Sequence, residues 1–297
     1  MKGKKVFLPL YEAKMIHQFD HRFGSFEGME ERGNTGLPTP DEASYARADY
    51  VALPWYWAPE SEVDSRLERW KRRWLIGFRN ITNASNERTS LFGLLPRTAV
   101  GHSAPLVIPT TDTVSALLLA NVNSLALEYI ARQKIGGVNM TFFYVQQFPV
   151  LPPNAYSATD LLFIVPRVLE LTATAWDVQP FADDVWRDAN RDLRAAIKRQ
   201  WLENRQSTGG QPVKAPAWYT PGEDGFPHPP FRWSEQRRGK LRAELDAWYA
   251  RLYGLDERDL RYILDPEDVY GPEFPGETFR VLKKNEIETY GEYVSIR

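Results

Sequence analysis

The longest apolar stretch of the sequence, residues 114–130, constrains the fold most, because its composition decides between a membrane span and a buried helix. It is interrupted by polar residues that include Asn121, Asn123, Ser124 and Glu128. The stretch is also slightly shorter than the roughly 20 apolar residues that cross a bilayer. Because its apolar residues recur at helical spacing, we predict one buried amphipathic helix here.

A change in residue pattern at Pro152 and Pro153 predicts a domain boundary. Before it, short apolar runs alternate with Gly, Pro and Asn turns, which is typical of a mixed α/β domain. After it, apolar residues recur at helical spacing. We therefore predict an α+β fold, with a mixed α/β domain over residues 1–153 and a mainly helical domain over residues 154–297. A long Gly- and Pro-rich loop is predicted near residues 206–230.

Further elements are predicted from local signals. Ser234 and Asp256 precede apolar-periodic segments, so we expect each to cap a helix. Aromatic and β-branched residues over 141–148 predict a strand. Residues 71–73 are basic and lie between two tryptophans, which favours the solvated face of an amphipathic helix. Another helix is expected to begin within residues 87–95.

The overall charge and the lack of cysteine narrow the class of protein. The net charge is −2 and the isoelectric point is about 6.2, so any surface that attracts nucleic acid must be local. Without cysteine, the chain has no disulfides, thiol nucleophiles or thiolate metal sites, which favours a reducing cytoplasm. Pro9, Glu12 and Lys14 interrupt the apolar residues near the start, so we predict no signal peptide there.

Amide, hydroxyl and guanidinium side chains are concentrated in residues 79–97. Asn pairs with adenine edges, Arg pairs with guanine edges or phosphate, and hydroxyls serve either, so the segment suits a DNA-contacting surface. We predict these contacts from it: Arg79, Asn80, Asn83, Asn86, Arg88 and Arg97. The alternative is an ordinary loop, in which Asn83 or Asn86 caps a helix.

Two other groups of polar residues extend this prediction. Near the N-terminus, a second group of basic residues consists of Lys14, His17, His21 and Arg22. After the predicted helix of residues 114–130, Lys134 and the pair Gly136–Gly137 lead to Asn139, which adds positive charge and a flexible backbone. We predict Lys134 and Asn139 as further DNA contacts.

The search for catalytic motifs is mainly negative. The sequence contains no phosphate-binding glycine loop of the dinucleotide or P-loop type and no Gly-x-Ser-x-Gly nucleophile motif. Glu12 and Lys14 form the Glu-x-Lys triplet of metal-dependent nucleases, but no acidic residue precedes them. His17 and His21, with Asp20 between them, have a spacing that would place two imidazoles on one helical face as metal ligands.

Several segments, taken in order, resemble the region that follows the catalytic domain in large adenine-specific DNA methyltransferases. These enzymes belong to type IIG-like restriction-modification and phage-defence systems. The matching segments are residues 8–22, 77–89, 94–102, 119–124, 136–137, 148–153, 252–255 and 279–283.

The resemblance implies a target-recognition domain followed by a helical C-terminal region. The glycine-containing S-adenosylmethionine motif and the Asn-Pro-Pro-Tyr/Phe motif of the family do not occur in this sequence. The resemblance therefore implies a recognition module for duplex DNA that binds no cofactor itself and works with a separate catalytic domain, on which S-adenosylmethionine would bind. One alternative is a metal-dependent nuclease that uses His17, Asp20 and His21. The other is a non-catalytic docking subunit.

Overall fold

The computed structural model describes residues 5–33, 36–109, 111–211, 214–274 and 278–296. Its strands are β1 (Phe7–Tyr11), β2 (Trp57–Pro59), β3 (Trp74–Phe78), β4 (Phe92–Pro96), β5 (Ala99–Val100) and β6 (Leu106–Val107). Its helices are α1 (Glu42–Ala46), α2 (Glu60–Arg66), α3 (Asp112–Val122), α4 (Leu125–Lys134), α5 (Phe142–Val145), α6 (Ala158–Thr172), α7 (Gln179–Asp188), α8 (Arg191–Thr208), α9 (Glu235–Leu252), α10 (Glu257–Leu264), α11 (Pro266–Tyr270) and α12 (Arg280–Tyr290). This mixture of helices and small sheets confirms the predicted α+β class.

The strands form two small sheets. One has the order β2-β1-β5, with β2 antiparallel and β5 parallel to β1. The other has the order β4-β3-β6 and is antiparallel throughout. Strand β3 is buried along its whole length, which explains its continuous apolar sequence.

The main hydrophobic core draws on residues from both sides of Pro153. It joins strands β3 and β4 to helices α3, α6, α7, α8 and α9. The indole of Trp74 packs edge-on against Phe181 at 4.9 Å, and its Nε1 donates to Asp184 at 2.9 Å. The boundary between residues 1–153 and 154–297 stays a prediction, but the two segments share this core.

The prediction of one helix over residues 114–130 was wrong, because the chain bends after Val122 and starts a second helix. Ser124 caps α4 by accepting from the backbone N–H of Leu127. Within the described residues, no single helix is both long and apolar enough to cross a bilayer. Helices α3 and α4 reach that length and composition only as a pair, across a bend of 64°.

Three other local predictions were also wrong. Residues 141–148 contain the short helix α5 rather than a strand. The segment expected to begin a helix within residues 87–95 instead leads into strand β4. The basic residues 71–73 lie in a non-helical segment directly before β3. In each case, pairing or packing with distant residues outweighed the local preference.

The predicted helix caps in the C-terminal half were confirmed. Ser234 accepts from the N–H of Arg237 at the start of α9, and Asp256 forms a capping box with Asp259 at the start of α10. The Gly- and Pro-rich loop begins after Thr208, later than predicted, because α8 continues to that residue. The loop packs onto the helices, since Phe231 is fully buried.

Candidate functional site

Positive charge is concentrated in one part of the chain despite the acidic total. Residues 69–159 contain nine lysines and arginines but only three acidic residues, a net charge of +6 in a chain of net charge −2. This segment includes β3, β4, α3, α4 and α5. A local surface that attracts anions is therefore compatible with the low isoelectric point.

A loop after β1 brings His17 onto the end of the β3–β4 hairpin. The N–H of Phe19 donates to the carbonyl of Phe92 at 3.2 Å, and Phe19 adopts a left-handed φ of 57°. Gly93 permits this approach, because a Cβ there would lie 2.7 Å from Ile16 Cγ2. A strained, buried residue is retained only where the surrounding contacts fix it, so the loop is held in one conformation.

The loop places His17 among arginines from two separate parts of the sequence, residues 79–88 and helix α9. Burial, followed by the positive charges of Arg242, Arg79, Arg88 and Arg238, lowers the pKa of His17 to about 3. His17 is therefore neutral at physiological pH, and its ring stacks on Phe23 with centroids 4.5 Å apart. We call His17, Arg79, Arg88 and Arg242 the basic cluster.

Two guanidinium groups of the basic cluster have buried nitrogens without partners. Nε of Arg79 and Nη1 of Arg88 make no hydrogen bond to the described residues. The nearest carboxylate to Arg88 is Asp246, at 3.7 Å, and burial raises the pKa of Asp246 to about 6. Buried donors without partners are uncommon in native proteins and are usually satisfied by water, an ion or a ligand. The basic cluster thus contains two buried donors that no described residue satisfies.

Next to the basic cluster, two predicted asparagines come together. The N–H of Met140 donates to the carbonyl of Asn80 at 2.7 Å, and Ile81 forms an isolated β-bridge with Asn139. The side-chain oxygen of Asn80 is buried without a partner among the described residues, whereas Asn139 is exposed. Exposed Lys134 ends α4 five residues before Asn139. The amide and cationic groups therefore lie on neighbouring segments.

Residues 83–90 are held on their buried side by the ion pair of Glu128 and Arg132 in α4. Glu128, fully buried, accepts from the backbone N–H groups of Thr89 and Ser90 at 2.6 and 2.8 Å. Arg132 donates to Glu128 at 2.8 Å and also to several backbone carbonyls. These belong to Ala84, Asn86, Glu87 and Thr278. The loop that carries Asn83 and Asn86 is thus fixed from its inner side.

The side chains of Asn83 and Asn86 differ in their availability. Asn83 Oδ1 accepts from the N–H and hydroxyl of Ser85 at 2.9 and 2.6 Å, which makes it a turn-forming residue. Asn86 is exposed, and its backbone carbonyl accepts from Arg132. Neither caps a helix, because strand β4 follows this loop.

Four predicted contacts have other roles. Arg22 is fully buried and donates to the carbonyls of Arg47 and Tyr45 and to the Thr174 hydroxyl, while His21 is 2% exposed and binds Asp177 at 3.0 Å. Burial removes these two from any nucleic-acid contact in this structure. Arg97 pairs with Asp64 at 2.9 Å.

Lys14 also has internal partners. Its ammonium donates to the carbonyl of Gly33 at 3.3 Å and lies 4.7 Å from the ring centroid of Phe26. Lys14, His21, Arg22 and Arg97 therefore each have a partner within the protein.

The geometry gives no support to the nuclease alternative. His21 binds Asp177, while Asp20 accepts from the Tyr45 hydroxyl at 2.7 Å and the Arg22 N–H at 2.8 Å. The arginines around His17 would also repel a cation. Among the residues with described positions, no group of three or more His, Asp or Glu side chains is arranged to hold a metal ion.

Sequence patterns missed the contribution of α9 to the basic cluster. Arg242 and Asp246 lie more than a hundred residues after Arg88, in helix α9, which belongs to the predicted helical domain of residues 154–297. No local signal marks them. The charge imbalance of residues 69–159, in contrast, is visible in the sequence itself.

Comparison with known proteins adds no relative to this description. No protein-family model matches the chain, and neither the curated proteins nor the solved structures contain a significant match.

Proposed function

We propose that this chain binds duplex DNA as the sequence-recognition module of an adenine-specific DNA methyltransferase system. The observation that carries the proposal is the charge imbalance of residues 69–159, where nine lysines and arginines, among them partly exposed Arg79 and exposed Lys134, stand against three acidic residues. Phosphate oxygens accept charge-assisted hydrogen bonds from such side chains. Phosphate contacts fix a protein on the duplex, and base contacts select the sequence.

In this proposal, base edges are contacted from the segments next to the basic cluster. Asn86 and Asn139 offer exposed amide groups, and Lys134 adds a cation at the end of α4. Amides suit adenine in the major groove. The sequence resemblance to the methyltransferase family supports the same function. S-adenosylmethionine would bind a separate catalytic domain, and the complex would act in the cytoplasm.

The test is the salt dependence of binding to a mixed-sequence duplex, measured by fluorescence anisotropy. Each lost contact between a Lys or Arg side chain and a phosphate reduces the slope of log affinity against log salt by about one. The variant Arg79→Gln/Lys134→Gln should therefore reduce that slope by about two. A matched control, Lys198→Gln/Arg199→Gln on exposed positions of α8, removes the same charge outside the site and should leave the slope unchanged.

The outcomes separate the possible functions. Wild-type protein that fails to bind duplex DNA even at low salt would reject DNA recognition and favour a docking subunit. Equal losses in the test and control variants would show attraction by total charge and reject this site.

A further inference from the structure

Four large apolar side chains beside Asn80 and Asn139 face solvent. Ile81 is 56% exposed, Val138 61%, Phe142 48% and Phe143 69%. We call these two aliphatic and two aromatic residues the aromatic patch. Ile81 and Val138 lie on two paired backbone segments, and Phe142 and Phe143 are adjacent in α5 directly after them. An exposed apolar region of this kind marks a place where a partner binds.

The backbone beneath the aromatic patch is fixed. The N–H of Thr82 donates to the carbonyl of Val138 at 3.1 Å, and the Ile81–Asn139 bridge lies beside it. Met140, which follows, is fully buried. The aromatic patch therefore lies on two backbone segments that are hydrogen-bonded to each other.

The two phenylalanines are oriented by the helix that carries them. Phe142 packs edge-on against buried Phe78, with centroids 5.4 Å apart at 85°. Tyr144 and Val145, on the inner side of α5, pack against the main core. Phe143 is left with most of its ring in solvent. It is held outward because its neighbours in the helix are anchored.

The charge around the aromatic patch indicates which partner it suits. Between Glu128 and Asp160 the sequence contains no acidic residue, and Lys134, Asn139 and Gln146 in this stretch are exposed. Rings interleaved with cations and amides are characteristic of surfaces on which nucleic-acid bases stack. In a paired duplex, neighbouring base pairs cover the base faces, so a protein ring stacks most readily on unpaired bases.

We propose that the aromatic patch stacks on unpaired bases of DNA, so that the chain prefers DNA with an opened segment to a fully paired duplex. This proposal rests on the DNA-binding function proposed above. Arg79 and Lys134 would hold the phosphates on either side, and Phe143 would supply the principal stacking ring.

The experiment compares two labelled DNAs by fluorescence anisotropy. One is a fully paired 20-base-pair duplex, and the other has the same sequence with three mismatched positions at its centre. Wild-type protein should bind the mismatched DNA more tightly. Base–aromatic stacking is strong enough that loss of one ring costs about tenfold in affinity.

Three variants identify the role of the ring. Phe143→Leu keeps an apolar side chain but removes the ring, so its affinity for the mismatched DNA should fall by about tenfold, with little change on the paired duplex. Phe143→Trp should retain the preference, because indole also stacks. Tyr290→Leu, at a site 65% exposed on α12, is the matched control and should behave as wild type.

Each result has a separate meaning. Wild-type protein that binds neither DNA would reject the proposed function. If wild type binds both DNAs equally and Phe143→Leu changes neither affinity, DNA recognition stands and stacking is rejected, which would assign the patch to a protein partner. An equal loss on both DNAs, with the thermal unfolding temperature unchanged, would place Phe143 on paired DNA and also overturn the preference.

Discussion

His17 is a residue whose surroundings oppose its protonation in the folded state. Burial and the arginines of the basic cluster lower its pKa to about 3, from an ordinary value of 6.5. In the unfolded chain the ring gains a proton as the pH falls below 6.5, whereas in the folded chain it does not until about pH 3. Its contribution to stability is therefore complete above pH 6.5 and is lost progressively between pH 6.5 and pH 3.

We expect the variant His17→Gln to be less sensitive to acid than wild type. Between pH 6.5 and 4.5, the free energy of unfolding of wild type minus that of the variant should fall by about 1.4 kcal/mol per pH unit. Urea unfolding at several pH values measures both. Using the difference removes the opposing effect of Asp246, whose raised pKa is common to the two proteins. A constant difference would mean that His17 titrates normally.

The buried pair of Glu128 and Arg132 should contribute more to stability than an exposed pair of the same spacing. Replacing Glu128 with Gln leaves the Arg132 guanidinium buried without its carboxylate and weakens the bonds from Thr89 and Ser90. We expect a loss of about 3 kcal/mol in the free energy of unfolding, measured with urea.

An exposed pair supplies the control for this measurement. Glu62 and Arg66 have the same order and spacing, and their closest atoms are 2.6 Å apart, but their side chains are 61% and 74% exposed. Glu62→Gln should change the free energy of unfolding by less than about 1 kcal/mol. Similar losses at the two sites would show that burial does not strengthen the α4 pair.

At the scale of elements, Asn123 joins the bend between α3 and α4 to strand β4. Its Oδ1 accepts from the N–H of Phe92 at 3.0 Å, and its Nδ2 donates to the carbonyls of Phe92 and Leu119 at 3.0 and 2.9 Å. The side-chain amide thus makes the two hydrogen bonds to Phe92 that the backbone of a neighbouring strand would otherwise make. It satisfies backbone groups that the bend would otherwise leave buried without partners.

Asn123→Ala should therefore be strongly destabilising. Removing the amide leaves the N–H of Phe92 unsatisfied and takes one donor each from the carbonyls of Phe92 and Leu119, although the Phe92 carbonyl still accepts from the N–H of Phe19. We expect a cost of about 2 kcal/mol in the free energy of unfolding. Chemical denaturation followed by circular dichroism measures this cost, with exposed Asn154→Ala as the control. A loss below about 1 kcal/mol would show that water replaces the amide.

The same elements explain what could be predicted from the sequence. Caps at Ser234 and Asp256 were predicted correctly, because a cap depends on residues within one turn of it. The break at Ser124 was missed, since an apolar run on both sides concealed the start of a second helix. Residues 141–148 were assigned to a strand because β-branched and aromatic residues are common in strands. In the structure, some of these side chains pack against the main core and others are exposed, and the segment pairs with none of the described strands.

The candidate site was predicted in part for a similar reason. Residues 79–88 were predicted as contacts from their composition, and the structure brings His17, Arg79 and Arg88 together. Arg242 could not be predicted, because its approach depends on how α9 packs. His21 and Arg22 were predicted as contacts since sequence composition does not distinguish a buried cation from an exposed one.

At the scale of the whole molecule, contacts across Pro153 predict cooperative unfolding. The Tyr249 hydroxyl donates to the carbonyl of Leu117 at 2.8 Å, and Trp74 bonds to Asp184, so a separation of the halves would expose buried polar groups in both. We expect one thermal transition, with the same midpoint by tryptophan fluorescence and circular dichroism. Two resolved midpoints would instead support independent domains at residues 1–153 and 154–297.

The way Arg132 supports the loop of residues 84–87 has a consequence for how this protein can evolve. Its acceptors there are the backbone carbonyls of Ala84, Asn86 and Glu87, which every amino acid provides. Substitutions at these positions therefore keep the acceptors, whatever side chain they introduce. Lineages that descend from this chain could change the outward chemistry of the loop by single mutations and inherit its internal support intact.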